Sequence, residues 1–153
     1  MEETKNRNIV TAVLNIFIVY SSLFFNIWDY SVFRPYTFKY YSKEMSTIAL
    51  LDEGMYNSEA LIFFLAVSFV ALLVCSIFNF QNKKSSLANK IQIVASIVIV
   101  IMFALVHTGV FEFIADFGSC DLTEKGFVII SMCIINVVIS TNFLIKNKKS
   151  KGD

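Results

Sequence analysis

The fold is decided by a charge-free stretch of 21 residues, Ala60–Phe80, which reads ALIFFLAVSFVALLVCSIFNF. At a rise of about 1.5 Å per residue, a helix of this length spans the roughly 30 Å hydrocarbon core of a bilayer. Lipid offers no hydrogen bonds to a peptide backbone, so a long apolar stretch must satisfy its own. We therefore predict a transmembrane helix here.

Three further stretches share these properties, each about 20 residues long and free of Asp, Glu, Lys and Arg. They are Ile9–Trp28, Ile91–Phe111 and Gly126–Ile145. The chain is 56% hydrophobic and 16% charged, whereas soluble domains have about 25% charged residues. We predict an all-α membrane protein in one membrane domain, residues 1–153: an antiparallel bundle of four transmembrane helices at about 9–28, 60–80, 91–111 and 126–145.

The charges between the helices divide into two sides. The N-terminal segment, residues 81–90 and the tail 146–153 carry nine Lys or Arg and three acids, a net +6. The loops 29–59 and 112–125 carry four Lys or Arg and nine acids, a net −5. Because Lys and Arg are retained in cytoplasmic loops, we predict a protein of the cell (plasma) membrane with both termini and the 81–90 loop in the cytoplasm.

Polar side chains inside the predicted helices fall on one narrow stripe per helix, at 100° per residue. The stripes are Thr11, Asn15, Ser22 and Asn26; Ser68, Cys75 and Asn79; Gln92, Ser96 and His107; and Cys133, Asn136 and Ser140. If all four face inward, they either hydrogen-bond between helices or line a path for a small solute or ion. The candidates for such a path, here called the predicted polar seam, are Asn15, Ser68, Ser96, His107 and Asn136.

His107 is the only histidine of the chain, and imidazole changes charge near neutral pH. It is therefore interpreted either as an interfacial histidine that makes an ordinary hydrogen bond or as the candidate proton-sensitive group of the seam. On a continuing helix, however, His107 lies about 140° from Glu112 and about 180° from Asp116, so the three side chains cannot converge. We predict no metal site and no cofactor.

The first outer loop, residues 29–59, contains an aromatic and basic stretch, Tyr30–Lys43. Alternation of aromatic with polar residues at 36–40 is typical of a strand, so we expect short β or interfacial structure here. The stretch is interpreted either as a lid at the lipid headgroups or as a recognition surface, since Tyr and Arg are favoured binding anchors. The candidate partner-binding residues are Arg34, Tyr36, Phe38 and Tyr40.

No arrangement of residues indicates catalysis. The three cysteines form no C-x-x-C pair, which argues against a membrane thiol–disulfide oxidoreductase. Cys120 is expected to be an exposed cysteine in the second outer loop, either as a free thiol or in an intermolecular bridge. There is no G-x-S-x-G motif and no glycine-rich phosphate loop. We predict no catalytic residues and no enzyme.

These observations favour a small non-enzymatic membrane protein that acts by binding. It would be an accessory subunit or a protective, immunity-type protein of the cell envelope. Its partners would be the lipid bilayer and another membrane or extracytoplasmic protein; the charge pattern gives no reason to expect nucleic acid. The alternative is a transporter or channel subunit for a small solute or ion that uses the polar seam and His107.

Overall fold

The computed structural model describes residues 2–34, 39–52, 59–81, 86–108 and 118–149. Within these ranges the chain forms helices and three strands. In chain order they are α1 (Glu2–Phe24), β1 (Trp28–Arg34), β2 (Lys39–Met45), α2 (Thr47–Asp52), α3 (Glu59–Phe80), α4 (Ser86–His107), β3 (Gly118–Leu122) and α5 (Glu124–Lys149).

Four of these helices are long and apolar enough to cross a membrane, which confirms the prediction of four such segments. The apolar segments are Asn6–Phe24, Ile62–Phe80, Ser86–His107 and Glu124–Lys146. They also expose large aliphatic side chains, such as Val70 and Val94, which are 60% and 61% exposed. A helix surface of this kind is suited to lipid, so the fold is that expected of a multi-pass membrane protein.

The four long helices form a closed ring of neighbours, because α1 contacts α3 and α5, and α4 contacts α3 and α5. The direction of α4 against α5 follows from two contacts: Gln92 bonds to Ser140, and His107 meets Phe127. The higher residue number on α4 therefore meets the lower one on α5, so these helices are antiparallel. We call the end of the bundle where α1 begins and α5 finishes the termini end, and the opposite end the sheet end.

The three strands form one antiparallel sheet in the order β2-β1-β3. β1 and β2 make a hairpin in which Trp28 is opposite Met45, and β3 returns to place Leu122 opposite Trp28. β3 lies in the second predicted loop and was not predicted. Its sequence, GSCDL, has no apolar alternation of its own, so the strand depends on pairing with a distant part of the chain.

The first predicted helix, 9–28, is wrong at its C-terminal end. α1 stops at Phe24, and Trp28 begins β1 instead of ending the helix. The indole of Trp28 is 1% exposed; its Nε1 donates to Thr47 Oγ1 at 3.0 Å, and its ring meets Phe103 edge-on at 5.0 Å. Burial and a hydrogen-bond partner for the indole N–H favour this position over the headgroups.

The other bounds differ from the predictions by a few residues. α4 begins at Ser86, inside the predicted 81–90 loop, and ends at His107, whereas 111 was the predicted end. α5 begins at Glu124 and extends to Lys149, into the predicted tail. Thr123 precedes α5, and its carbonyl accepts from Phe127 N at 3.2 Å, as expected of an N-cap residue.

Cys120 is not the exposed thiol that was expected. It lies in β3 and is 3% exposed, in the same apolar cluster as Trp28 and Phe103. A buried thiol of this kind behaves as a small apolar side chain. The pairing of β3 with β1 is what takes Cys120 into the core.

Candidate functional site

Six polar side chains meet inside the bundle and bond to one another; we call them the polar network. Each is buried, with at most 5% of its surface exposed, and every long helix supplies at least one. They are Asn15 of α1, Asn79 of α3, Gln92 and Ser96 of α4, and Asn136 and Ser140 of α5.

Gln92 is the centre of the polar network because its amide uses all of its bonding capacity. Its Oε1 accepts from Asn15 Nδ2 at 3.1 Å and from Asn79 Nδ2 at 3.2 Å. Its Nε2 donates to Asn136 Oδ1 at 2.6 Å and to Ser140 Oγ at 2.8 Å. A primary amide has two donor hydrogens and two acceptor lone pairs, so Gln92 joins α4 to the other three long helices and has no donor or acceptor position left over.

Asn136 closes the polar network on the side away from Asn79. Its Nδ2 donates to Asn15 Oδ1 at 2.7 Å and to Ser96 Oγ at 3.0 Å. These distances are those of direct hydrogen bonds, so no water lies between the bonded atoms. Such a network holds the rotation of each helix about its own axis, because turning any one of them breaks at least one bond.

The structure brings together three residues of the predicted polar seam, Asn15, Ser96 and Asn136. Ser68 is buried but lies 11 residues before Asn79 on α3, or about 16 Å along the helix. His107 lies 15 residues after Gln92 on α4, or about 22 Å away. The seam is therefore not one continuous line of polar contacts across these five residues.

The predicted seam omitted three members of the polar network, namely Asn79, Gln92 and Ser140. All three lay on the predicted stripes, so their angular positions carried the signal. The stripes did not show how far each side chain extends from its helix. The Gln92 side chain is long enough to bond to residues of α1, α3 and α5 at once.

His107 belongs to the sheet end and contacts β3. Its Nδ1 is 3.3 Å from the backbone N of Leu122 and 3.3 Å from Oδ1 of Asp121, while its ring meets Phe127 edge-on. These two polar contacts require different forms of the ring. An unprotonated Nδ1 accepts from the Leu122 N–H, whereas a protonated Nδ1 donates to the Asp121 carboxylate.

No group of three metal-ligating side chains occurs among the described residues. Glu112 and Asp116, which were considered as partners of His107, lie outside those residues.

The two faces of the sheet differ in character. Trp28, Met45 and Leu122 form one cross-strand row, and all three are buried. The adjacent row on the other face consists of acids, because Asp29 is opposite Glu44 on one side and Asp121 on the other.

The carboxylates of this acidic row have separate partners. Asp29 Oδ1 accepts from Ser42 Oγ at 2.6 Å, and Glu44 Oε2 lies 3.4 Å from Lys125 Nζ. Asp121 has the contact with His107 already described. Like charges directly opposite one another destabilise a sheet, so the polar face favours the approach of positive charge.

Two of the four candidate partner-binding residues lie in the described part of the hairpin. Arg34 ends β1, opposite Lys39, and Tyr40 is the second residue of β2, opposite Phe33; Tyr36 and Phe38 fall outside the described residues. The structure therefore places the backbone of Arg34 and that of Tyr40 at the facing ends of the two strands of the hairpin.

The two edges of the sheet are not equivalent. Thr123 N donates to Ile27 O at 2.9 Å, so the pair 27 and 123 is hydrogen-bonded. Because hydrogen-bonded and non-hydrogen-bonded pairs alternate along an antiparallel ladder, this pair determines the direction in which the backbone groups of every other strand residue point. In β3 the backbone groups of 120 and 122 point away from β1. The Leu122 N–H meets His107 there, at the end of α4.

By the same alternation, residues 39, 41, 43 and 45 of β2 bond to β1. The backbone N–H and C=O groups of 40, 42 and 44 point to the outer edge of β2. Among the described residues, no strand pairs with this edge.

No family model, no curated protein and no solved structure matches this chain.

Proposed function

We propose that this chain is a non-enzymatic protein of the cell envelope that acts by binding another membrane or extracytoplasmic protein. It would serve as an accessory subunit or as a protective, immunity-type protein. The observation that carries the proposal is the contrast in polar groups. The amides inside the bundle bond to one another, whereas the hairpin β1–β2 presents backbone and side-chain groups at the end of the bundle.

The hydrogen bonds inside the bundle support this proposal over transport. Gln92 has four hydrogen bonds to protein groups, so a solute passing between the helices would have to break them. The transport alternative requires those groups to be available to the solute. It also relies on His107, which lies about 22 Å from Gln92 and contacts the sheet instead.

The orientation that we propose places the sheet end outside the cytoplasm. The start of α1, the end of α3, the start of α4 and the end of α5 lie at the termini end of the bundle. The segments that adjoin these helix ends in the sequence carry the net +6 of charge. The hairpin and β3 lie at the end with net −5. Retention of Lys and Arg in the cytoplasm then makes the hairpin available to an extracytoplasmic partner.

A photoreactive residue at position 40 tests the proposed function. The chain with p-benzoylphenylalanine in place of Tyr40 is irradiated in its native membranes, and we expect one discrete protein adduct. The same residue at position 70, on the exposed surface of α3, is the control and should give lipid adducts. The triple variant Arg34→Ala, Tyr36→Ala and Tyr40→Ala has no photoreactive residue and is tested by co-purification. It should insert normally and fail to co-purify the protein that the position-40 adduct identifies. Absence of a discrete adduct, or unchanged capture by the triple variant, would contradict the proposal.

Labelling of intact cells tests the orientation separately. A membrane-impermeant maleimide should react with Ser42→Cys and not with Lys151→Cys. The reverse pattern would place the hairpin in the cytoplasm.

A further inference from the structure

We propose that the outer edge of β2 receives an extended segment of the partner protein as a fourth strand of the sheet. This inference rests on the proposed binding function and names the kind of partner that fits. The incoming segment pairs through its backbone and carries a Lys or Arg where it passes Glu44. The sheet then has the order partner-β2-β1-β3.

The edge formed by β3 is closed to such an addition. The outward N–H of Leu122 is 3.3 Å from His107 Nδ1, and β3 also contacts α4 and α5. A histidine ring that accepts the N–H at the end of a helix occupies the place that an added strand would need. Covering an edge in this way prevents unwanted strand pairing.

The edge formed by β2 has the backbone groups that strand addition uses. The N–H and C=O groups of Tyr40, Ser42 and Glu44 point outward, two residues apart. An added strand pairs with alternate residues at this spacing. β2 extends over seven residues, Lys39–Met45, a usual length for a paired strand.

The charge on the polar face selects the side chain of the added strand. The row of Asp121, Asp29 and Glu44 runs across the sheet toward this edge. The next position in the row belongs to the added strand, directly beside Glu44. Glu44 Oε2 already lies 3.4 Å from Lys125 Nζ, and its side chain is 55% exposed. A cation in the added strand is therefore a second positive partner for this acid, whereas an acid there extends a row of like charges.

The test uses two fluorescent peptides and the full chain in lipid nanodiscs. One is a seven-residue peptide of Thr and Val with a central Lys, and its twin has a central Glu. Opposite and like charges in a cross-strand pair differ by about 1 kcal/mol, or about fivefold in affinity. We therefore expect the Lys peptide to bind about fivefold more tightly than its twin, and Glu44→Gln to reduce this preference.

Two substitutions of one residue separate the backbone from the side chain. Ser42→Pro removes an outward N–H, which the pairing of β2 with β1 does not use, and proline is tolerated at such edge positions. Ser42→Ala keeps the N–H and loses only the bond from Oγ to Asp29. We expect Ser42→Ala to bind the Lys peptide like the parent chain, and Ser42→Pro to bind it at least about tenfold more weakly. Unchanged emission from Trp28, the single tryptophan, would verify that the sheet is intact.

Three results would overturn the inference: no binding of the Lys peptide, equal binding by Ser42→Pro and Ser42→Ala, or self-association of the chain that Ser42→Pro abolishes and the peptide does not inhibit. The last result would identify a second copy as the occupant. The position-40 adduct distinguishes this failure from failure of the proposed function. An adduct that persists in Ser42→Pro keeps the function and removes the added strand, whereas a missing adduct in the parent chain removes the function.

Discussion

In the half of the bundle near the termini end, six polar side chains from four helices bond to one another, whereas at the sheet end the polar groups of β2 and the acidic row face outward. Both regions are built from ordinary polar residues, so composition does not separate them. The two regions differ in the source of their hydrogen-bond partners. The interior amides find them within the chain, as stability in lipid requires. The outer edge of β2 has backbone groups for which the described chain supplies no strand.

The largest expected effect comes from breaking the interior. Gln92→Leu removes four hydrogen bonds and leaves amides of α1, α3 and α5 without their central partner. At about 0.6 kcal/mol per interhelical bond, plus the cost of unpaired buried groups, we expect the free energy of unfolding to fall by about 2–4 kcal/mol. Unfolding in mixed detergent micelles measures it. The control is Ser131→Ala, which removes an exposed hydroxyl bonded within its own helix; equal effects of the two would show that the network does not hold the helices.

A smaller effect is expected at the junction of the two regions, at Gly126 near the start of α5. A Cβ there would lie 2.5 Å from Leu122 Cδ2 and 3.0 Å from Ile27 O. The backbone carbonyl cannot move aside as a side chain can, so Gly126→Ala should cost about 1–3 kcal/mol in unfolding free energy. Loss of sheet packing should also shift Trp28 emission to longer wavelength. A stability equal to that of the parent would mean that β3 and α5 are less tightly joined.

A local effect is expected at the closed edge of the sheet. His107→Leu removes the acceptor for the Leu122 N–H, a bond worth about 1 kcal/mol. We expect the amide of Leu122 to exchange with solvent about fivefold faster while amides of the polar-network region are unchanged. Unaltered exchange at Leu122 would show that His107 does not close this edge.

The smallest effect is expected for the ion pair of Lys125 with Glu44, whose side chains are 57% and 55% exposed. Solvent screens such pairs, so Lys125→Gln should change the unfolding free energy by less than about 0.5 kcal/mol. A larger decrease in the unfolding free energy, persisting at high salt, would show that this ion pair stabilises the fold more than its exposure predicts.

Much of the bundle could be predicted from the sequence, because an uncharged run of about 20 residues has few alternatives to a membrane helix. The 100° period also placed Asn15, Ser96 and Asn136 on inward stripes. It could not show that Gln92 joins them, since that depends on the length of the side chain and on the rotation of the other three long helices about their axes.

The sheet was harder to predict for a different reason. The apolar run continues through Ile27 to Trp28, so nothing local marks the end of α1 at Phe24. What takes Trp28 out of the helix is its contact with Thr47 and Phe103, which are distant in sequence. β3 likewise exists through its pairing with β1, and its own residues give no strand pattern.

Residue-resolved amide exchange in nanodiscs tests the contrast between the two regions most directly. Along β2, the amides of Ser42 and Glu44 should exchange quickly, and those of Lys43 and Met45 slowly, because only the second pair bonds to β1. The side-chain amide protons of Gln92 should exchange slowly in the same sample. Uniform protection along β2, or rapid exchange at Gln92, would contradict an account in which the interior is closed and the outer edge of the sheet is open.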